Sequence, residues 1–329
     1  MNKSTIFVLA LICGVIGFFV FQRYELRSID GGIQIVERTQ EQGVFGVSAP
    51  QKPAIHAGET IRVASFNIQV LGDSKIEKPH VMDLLSRIIR QFDVVAIQEI
   101  RSRNQDIVPR FIDLINATGR RYDYVISDRL GRTDQKEQYA FIFDTASIEI
   151  DRHQLYVIND PDDVVHREPF VGWFRARGPA ADQAFTFSLV NVHVDPDETD
   201  VELDAMDDVF HAVLRDGRNE DDVIILGDFN VSDAEMGELG TVPGLTSVIQ
   251  SMPTNTRKTK QYDNLVFEAE ATSEFTGRGG IYDFLREYNL SMPHALEVSD
   301  HLPVWAEFSV YEGGKPGQVA RRRAIHATR

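Results

Sequence analysis

One cysteine, Cys13, stands in 329 residues, so no intrachain disulfide can form and no cysteine-based zinc site can be built. Positive charge is scarce as well: 34 lysines and arginines face 50 aspartates and glutamates, a net charge of −16. Five of the basic residues (Lys315, Arg321, Arg322, Arg323 and Arg329) fall in residues 311–329, beside one acid, Glu312. The first 310 residues therefore carry 29 basic against 49 acidic side chains, and a basic tail follows an acidic body. Non-specific affinity for nucleic acid rests on Lys and Arg meeting phosphates, so such a body is not a generic polyanion binder. Phosphate chemistry here needs a metal ion or a local arginine cluster. No internal repeat is present. Hydrophobic residues at 43% and charged residues at 26% exclude a mainly disordered or fibrous chain. Without disulfides the core stands on burial alone, which a domain of about 250 residues can supply.

A single long uncharged apolar run, residues 5–21, lies between Lys3 and Arg23. It reads as an uncleaved transmembrane signal anchor over 1–23, since no small-x-small cleavage site follows it; a cleaved signal peptide is the rival reading and a core helix the bland one. Lys3 and the terminal amine compete with Arg23 and Arg27, so charge alone does not set its orientation; the signal-like N-terminus leads to the expectation that the domain behind it faces outside the cytoplasm, with secretion after cleavage as the alternative. Residues 24–58, broken by Gly31, Gly32, Gly43, Gly46, Pro50 and Pro53, read as a flexible tether with one short strand at 32–36. Residues 311–329 lack apolar periodicity and read as a basic disordered tail.

Between 59 and 310 strands and helices intermix in one domain. Helical spacing marks 79–92, 107–117 and 201–214. Apolar or β-branched runs mark strands at 61–66, 93–98, 122–127, 138–143, 148–157, 170–175, 185–194, 223–226, 264–267 and 303–310. Several strands follow one another directly, which fits an α/β (α+β) pair of packed, antiparallel-rich sheets with helices outside better than an all-parallel sheet.

The chemical signal is a repeated design in which an apolar strand ends in a titratable or metal-capable side chain: Asn67, Glu99, His193, Asp228 with Asn230, and Asp300-His301 ahead of the last strand. Taken singly, each is more often a turn residue, a solvated acid or a core histidine. Together they form an oxygen-rich donor set that suits Mg2+ or Mn2+ rather than zinc, and two histidines that can move protons near neutral pH.

Ser65-Phe-Asn67, Ala96-Ile-Gln98-Glu99, Asn191-Val-His193, Leu226-Gly-Asp228-Phe-Asn230 and Ser299-Asp-His301-Leu-Pro-Val match, in order, the motifs of the endonuclease/exonuclease/phosphatase superfamily. Within it the chain most resembles deoxyribonuclease I-like enzymes, whose segments are also similar to residues 130–139, His166-Arg167-Glu168-Pro169 and Gln261-Tyr-Asp263-Asn-Leu. The resemblance implies a four-layer sandwich of two packed mixed β-sheets flanked by helices. It implies Mg2+, for which Mn2+ can substitute, held by Glu99 with Asn67, Asp228 and Asp300. By the same resemblance His193 and His301 form the acid–base pair, Glu137 orients His193 and Asp263 orients His301. Asn230 holds a phosphate oxygen or the attacking water, and Arg101 and Arg167 grip phosphates.

The chain departs from the family at its disulfide cysteines, at Asn159-Asp-Pro-Asp-Asp163, and at residues 254–260, which lack the acid of a calcium loop, so calcium is not expected at those loops. At Gln135 the resembled enzyme has a tyrosine that packs in the DNA minor groove. The implied activity is metal-dependent hydrolysis of DNA by an endonuclease. Phosphoinositides, sphingolipids or other small phosphoesters are the alternative substrates, and a non-catalytic binding module the third reading.

Overall fold

The computed structural model describes residues 24–29, 32–37, 58–134 and 136–314. The apolar run read as an anchor, Gln135 and the tail from residue 315 lie outside the described residues. Among the described residues no helix is long and apolar enough to cross a membrane.

The chain divides into two units, Met1–Gln51 and Lys52–Arg329. In the first, β1 (Tyr24–Ile29) pairs antiparallel with β2 (Gly32–Glu37), Tyr24 opposite Glu37. The stretch read as a tether with one strand thus contains two. Ile33, Ile35 and Val36 favour the extended backbone.

The second unit holds two mixed sheets. The first runs β14 (Phe275–Ile281), β15 (Val304–Ser309), β3 (Thr60–Leu71), β4 (Val94–Ile100), β6 (Gln138–Asp144) and β5 (Tyr122–Ile126). The second runs β12 (Leu245–Ser247), β13 (Asp263–Glu268), β11 (Val223–Asp228), β10 (Thr186–His193), β9 (Phe170–Ala176) and β7 (Ile148–Ile150), with β8 (Tyr156–Val157) also on β9. Each sheet has one parallel pair at its centre, β3–β4 and β10–β11, and every other described pairing is antiparallel. The strand expected over 148–157 is broken, because the Asp151 side chain accepts from the backbone N–H of His153 at 2.9 Å and turns Arg152–Gln154 out of the extended path.

Alternation along the strands separates three apolar layers. Ile61, Val63, Val94, Ala96 and Phe141 of one sheet meet Phe174, Phe187, Leu189, Ile224 and Leu265 of the other in the central core. Val95, Ile97 and Ile142 face outward onto the helices Pro79–Ile89, Ile107–Asn116 and Met292–Val298. Val190, Val192 and Ile225 face the helix Thr199–Leu214 on the other side. Helix, sheet, sheet and helix make the four layers that the sequence implied.

One polar bridge crosses the central core. Gln98 Nε2 donates to Asn191 Oδ1 at 2.7 Å, and Asn191 Nδ2 donates to the carbonyls of Ile97 and Ala140 at 3.1 and 3.2 Å. Both side chains are fully buried, so each lost partner would leave a desolvated polar atom; the pair therefore fixes how the sheets stack beside the ends of β4 and β10.

Candidate active site

The two parallel pairs end at the same rim. In the β10–β11 register His193 stands opposite Asp228, and in the β11–β13 register Asp228 stands opposite Asp263. Side by side on adjacent strands, these three polar groups are delivered to one place by backbone pairing alone. The approach of β10 and β11 depends on Gly227: a Cβ there would lie 1.9 Å from the Val192 carbonyl oxygen. Gly227→Ala is therefore expected to lower unfolding free energy by at least about 3 kcal/mol in urea titrations, because backbone rather than a flexible side chain must move. A loss below about 0.5 kcal/mol would show that the strands do not need this approach.

On the other sheet Glu99 is placed by distortion. Pairing of β3 with β4 shifts register between Asn67 and Leu71, and pairing of β4 with β6 shifts between Ile97 and Ile100. Gln69, Val70 and Glu99 all have positive φ (46°, 56° and 66°), a conformation non-glycine residues hold only where surroundings enforce it. Here the enforcement is visible. Lys75 Nζ donates to the carbonyls of Ile68, Gln69 and Val298, and the Val70 N–H donates to Glu99 Oε2 at 3.0 Å. Burial lowers the Lys75 ammonium to about 8 against the raising fields of Glu99 and Asp300.

Asp228 is the focus. Its Oδ2 receives Asn67 Nδ2 at 3.0 Å and lies 3.5 Å from His301 Nε2 and 3.7 Å from His193 Nε2. Asn67 Nδ2 also donates to Glu99 Oε1 at 3.0 Å, so one amide bridges the carboxylates of two sheets. Each imidazole is backed by a fully buried carboxylate on its other nitrogen. His193 Nδ1 is 2.7 Å from Glu137 Oε1, and His301 Nδ1 is 2.9 Å from Asp263 Oδ2. Burial pulls both histidines down, but the carboxylates outweigh it: Glu137 raises His193, and Asp263 with Asp228 raise His301 to about 10. Burial pushes Glu137 up, and the His193, Arg167 and Arg101 charges more than reverse that. Asp263 stays raised, by burial and the nearby Asp228, despite His301.

The arginines converge on Glu137. Arg167 Nε lies 3.2 Å from Glu137 Oε1 and donates to the His193 carbonyl at 3.2 Å, and Arg101 spans Glu99 (3.3 Å) and Glu137 (3.5 Å). Arg101 is the more open of the two. Asn230, also at positive φ (56°), donates to the Val194 carbonyl at 2.8 Å, and its own N–H is held by Asp228 Oδ1 at 3.0 Å. Asp300 stands apart: its side chain is half exposed, 4.0 Å from His301 Nε2.

Sequence reasoning missed two hydroxyls and an amine. Thr254 Oγ1 donates to Asp263 Oδ2 at 2.7 Å while accepting the N–H groups of Tyr262 and Asp263. Ser299 Oγ donates to the Asn67 carbonyl at 2.7 Å and accepts the His301 N–H at 2.9 Å. Lys75 is the amine. Only Ser299 lay within a quoted motif; a lone Thr in a loop, or a lone Lys in the short helix Asp73–Ile76, carries no sequence signal of its task.

The donor chemistry fits a hard divalent cation. Glu99 and Asp228 offer carboxylate oxygens around one amide, without sulfur, at a rim where substrate phosphate and water can complete the shell. Asp228, Asp263 and His301 also each place a ligand atom within 4.8 Å of the others, but His301 Nδ1 and the Asp263 carboxylate are committed to each other, and only His301 Nε2 stays open towards Asp228.

A model of the Endonuclease/Exonuclease/phosphatase family matches residues 64–290. The chain is 35% identical to rat (Rattus norvegicus) deoxyribonuclease gamma, across 76% of this chain and 85% of that one. It is 31% identical to mouse (Mus musculus) deoxyribonuclease-1-like 1, across 76% and 81%. Truncated TDP2 of Caenorhabditis elegans superposes with a TM-score of 0.51 over 76% of this chain and 98% of that one; at 14% identity this is a likeness of fold.

Proposed function

The chain belongs to the endonuclease/exonuclease/phosphatase family and is a hydrolase of phosphoester bonds, and from that premise we propose that it cuts DNA internally with the help of Mg2+. The observation that carries this reading is the meeting of two carboxylate-backed imidazoles at Asp228 Oδ2, beside Glu99 and Asn67. The 35% and 31% identity to proteins named as deoxyribonucleases supports DNA as the substrate.

Glu99, Asn67 and Asp228 would hold the cation, and Asp300, half exposed and 4.0 Å from His301 Nε2, would support the site from outside. When bound it offsets charge on the scissile phosphate and on the transition state. The protein's own groups do the rest. Arg101, anchored between Glu99 and Glu137, and Arg167 draw phosphate oxygens to the rim by charge-assisted hydrogen bonds. Asn230 holds a phosphate oxygen or the attacking water. One imidazole takes a proton from that water at Nε2, and the other gives its Nε2 proton to the leaving oxygen. Glu137 and Asp263 fix the Nδ1 proton of each ring, which leaves Nε2 as the reacting atom. The reaction is a single displacement by water, with no covalent intermediate on the protein.

The apolar run at 5–21 supports a membrane-tethered location, and its signal-like character at the N-terminus supports placing the catalytic domain outside the cytoplasm. The test of function is supercoiled plasmid with Mg2+, then with EDTA. Nicked circles that stop forming on chelation are expected. Intact plasmid, together with phosphate release from an inositol or sphingolipid headgroup, would move the same machinery to a small phosphoester.

A further inference from the structure

At the other end of β10 and β11 the fold buries a second group of acids that takes no part in the reaction centre. Glu220, Asp221 and Asp222 precede β11, Glu274 precedes β14, and Glu312 follows β15. One carboxylate oxygen each from Asp222, Glu274 and Glu312 lies within 4.8 Å of the others, and the same holds for Glu220, Asp221 and Asp222. Asp222 belongs to both trios. It is 1% exposed, and its Oδ1 has no hydrogen-bond partner; Glu274, 2% exposed, leaves its Oε2 equally bare. Unpartnered oxygens on buried carboxylates are rare because desolvation is not offset.

The remaining contacts hold the group open rather than neutralise it. Glu220 accepts from Trp173 Nε1 at 2.9 Å and from the Asp222 N–H at 3.1 Å; Glu312 accepts from the Thr186 N–H at 3.3 Å, and Glu274 from the Gly313 N–H. All these donors are uncharged. Beyond burial itself, the strongest influences on Asp222 are Glu274, Glu220, Glu312 and Asp221, every one an acid. Burial first, then Glu274, pushes Glu312 up to about 7. Such a group demands positive charge, as protons or as a metal ion.

We propose that Asp222, Glu274 and Glu312, with Glu220 and Asp221 beside them, form a second divalent-cation site suited to Ca2+. Ca2+ takes six to eight oxygen ligands in flexible geometry, which several carboxylates from three chain segments can provide, whereas Mg2+ prefers to keep its waters. The ion ties the entry to β11 to the segments flanking β14 and β15, so it joins the two sheets at the end remote from the reaction. Residues 254–260 and 159–163, where the sequence departs from the family's calcium loops, are not involved.

The experiment uses the full chain carrying Glu99→Gln and Asp228→Asn, which disables the reaction centre as a cation trap. Chelator-stripped protein is titrated with CaCl2 by calorimetry and melted at pH 7.5 with and without the ion. One bound Ca2+ and a Tm rise of roughly 5 °C are expected. Adding Asp222→Asn abolishes both and, by relieving repulsion, raises the Tm in chelator; Glu312→Gln, at a less buried position, gives the same pattern if the first variant folds poorly. No calcium response in the parent, or an undiminished one with Asp222→Asn, overturns the proposal. So does a Tm that rises from pH 8 to pH 6 but ignores calcium, since protons then serve the group. If Arg321, Arg322 and Arg323 supply the counter-charge, replacing them with Ala lowers the Tm in chelator and calcium does not restore it, which is equally fatal.

Discussion

With His193 replaced by Ala, plasmid nicking in Mg2+ is expected to fall by about 10³-fold, the middle of the range for loss of a general acid or base. The fold should survive. Glu137 loses its imidazole but keeps Arg167 at 3.2 Å and Arg101 at 3.5 Å, so no buried charge is abandoned. His301 remains on Asp263, and its Nε2 remains beside Asp228. Because both imidazoles serve one displacement, the double variant His193→Ala, His301→Ala is expected to lose less than the product of the single losses. Single-turnover rates and melting curves measured on the four proteins decide the matter. A single variant within about threefold of the parent, with unchanged melting, would remove His193 from the reaction.

The path from sequence to this site was unevenly legible. Strands β4, β10 and β11 announce themselves as apolar runs because both of their faces are buried, and each run stops where a polar group begins. Glu99 is another matter. Its placement depends on two register shifts and a positive φ, and nothing in Gln98-Glu99-Ile100 marks a left-handed residue. The motif singled Glu99 out as a candidate, and the strain that aims it lies in the folded backbone alone.

Edges were harder than centres. Strand β14 reads Phe-Thr-Gly-Arg-Gly-Gly-Ile, a poor strand by propensity and largely exposed. It forms because β15 offers it a backbone ladder, and Gly279 is needed there: a Cβ would come within 2.4 Å of Val248 and 2.8 Å of the Trp305 carbonyl oxygen. Short β12 was missed for the same reason, its three residues being only half buried against β13. The groups that hold the imidazole–carboxylate pairs were equally silent. Residues 254–260, read only for the acid they lack, instead contribute Thr254, whose hydroxyl fixes Asp263, while Asn255 pairs with His301 in an isolated bridge. A loop's sequence states its composition, whereas its task depends on what the rest of the fold brings beside it.

Asp263→Asn tests that second pair through its charge. The amide can still accept from Thr254 Oγ1, so the local frame is kept, yet it offers no anion to His301 Nδ1. Burial then acts on the imidazole with only Asp228 and Asp300 opposing it, and its pKa falls from about 10. The sign for activity follows. A histidine that donates a proton must be protonated, so the rate declines as pH rises through that pKa; lowering the pKa carries the alkaline limb to lower pH. A cation held by Asp228 weakens that carboxylate's pull in parent and variant alike, and the difference between them remains Asp263's. The expected result is a loss of about 10² in kcat at pH 7.5, with the alkaline limb of kcat/KM displaced downward by at least about one pH unit. Asp263→Glu, which restores the charge, should return the limb upward even if the rate recovers only in part. A purely structural role for Asp263 would lower the rate at every pH and leave the limb where it was, and that outcome would separate His301 from proton donation.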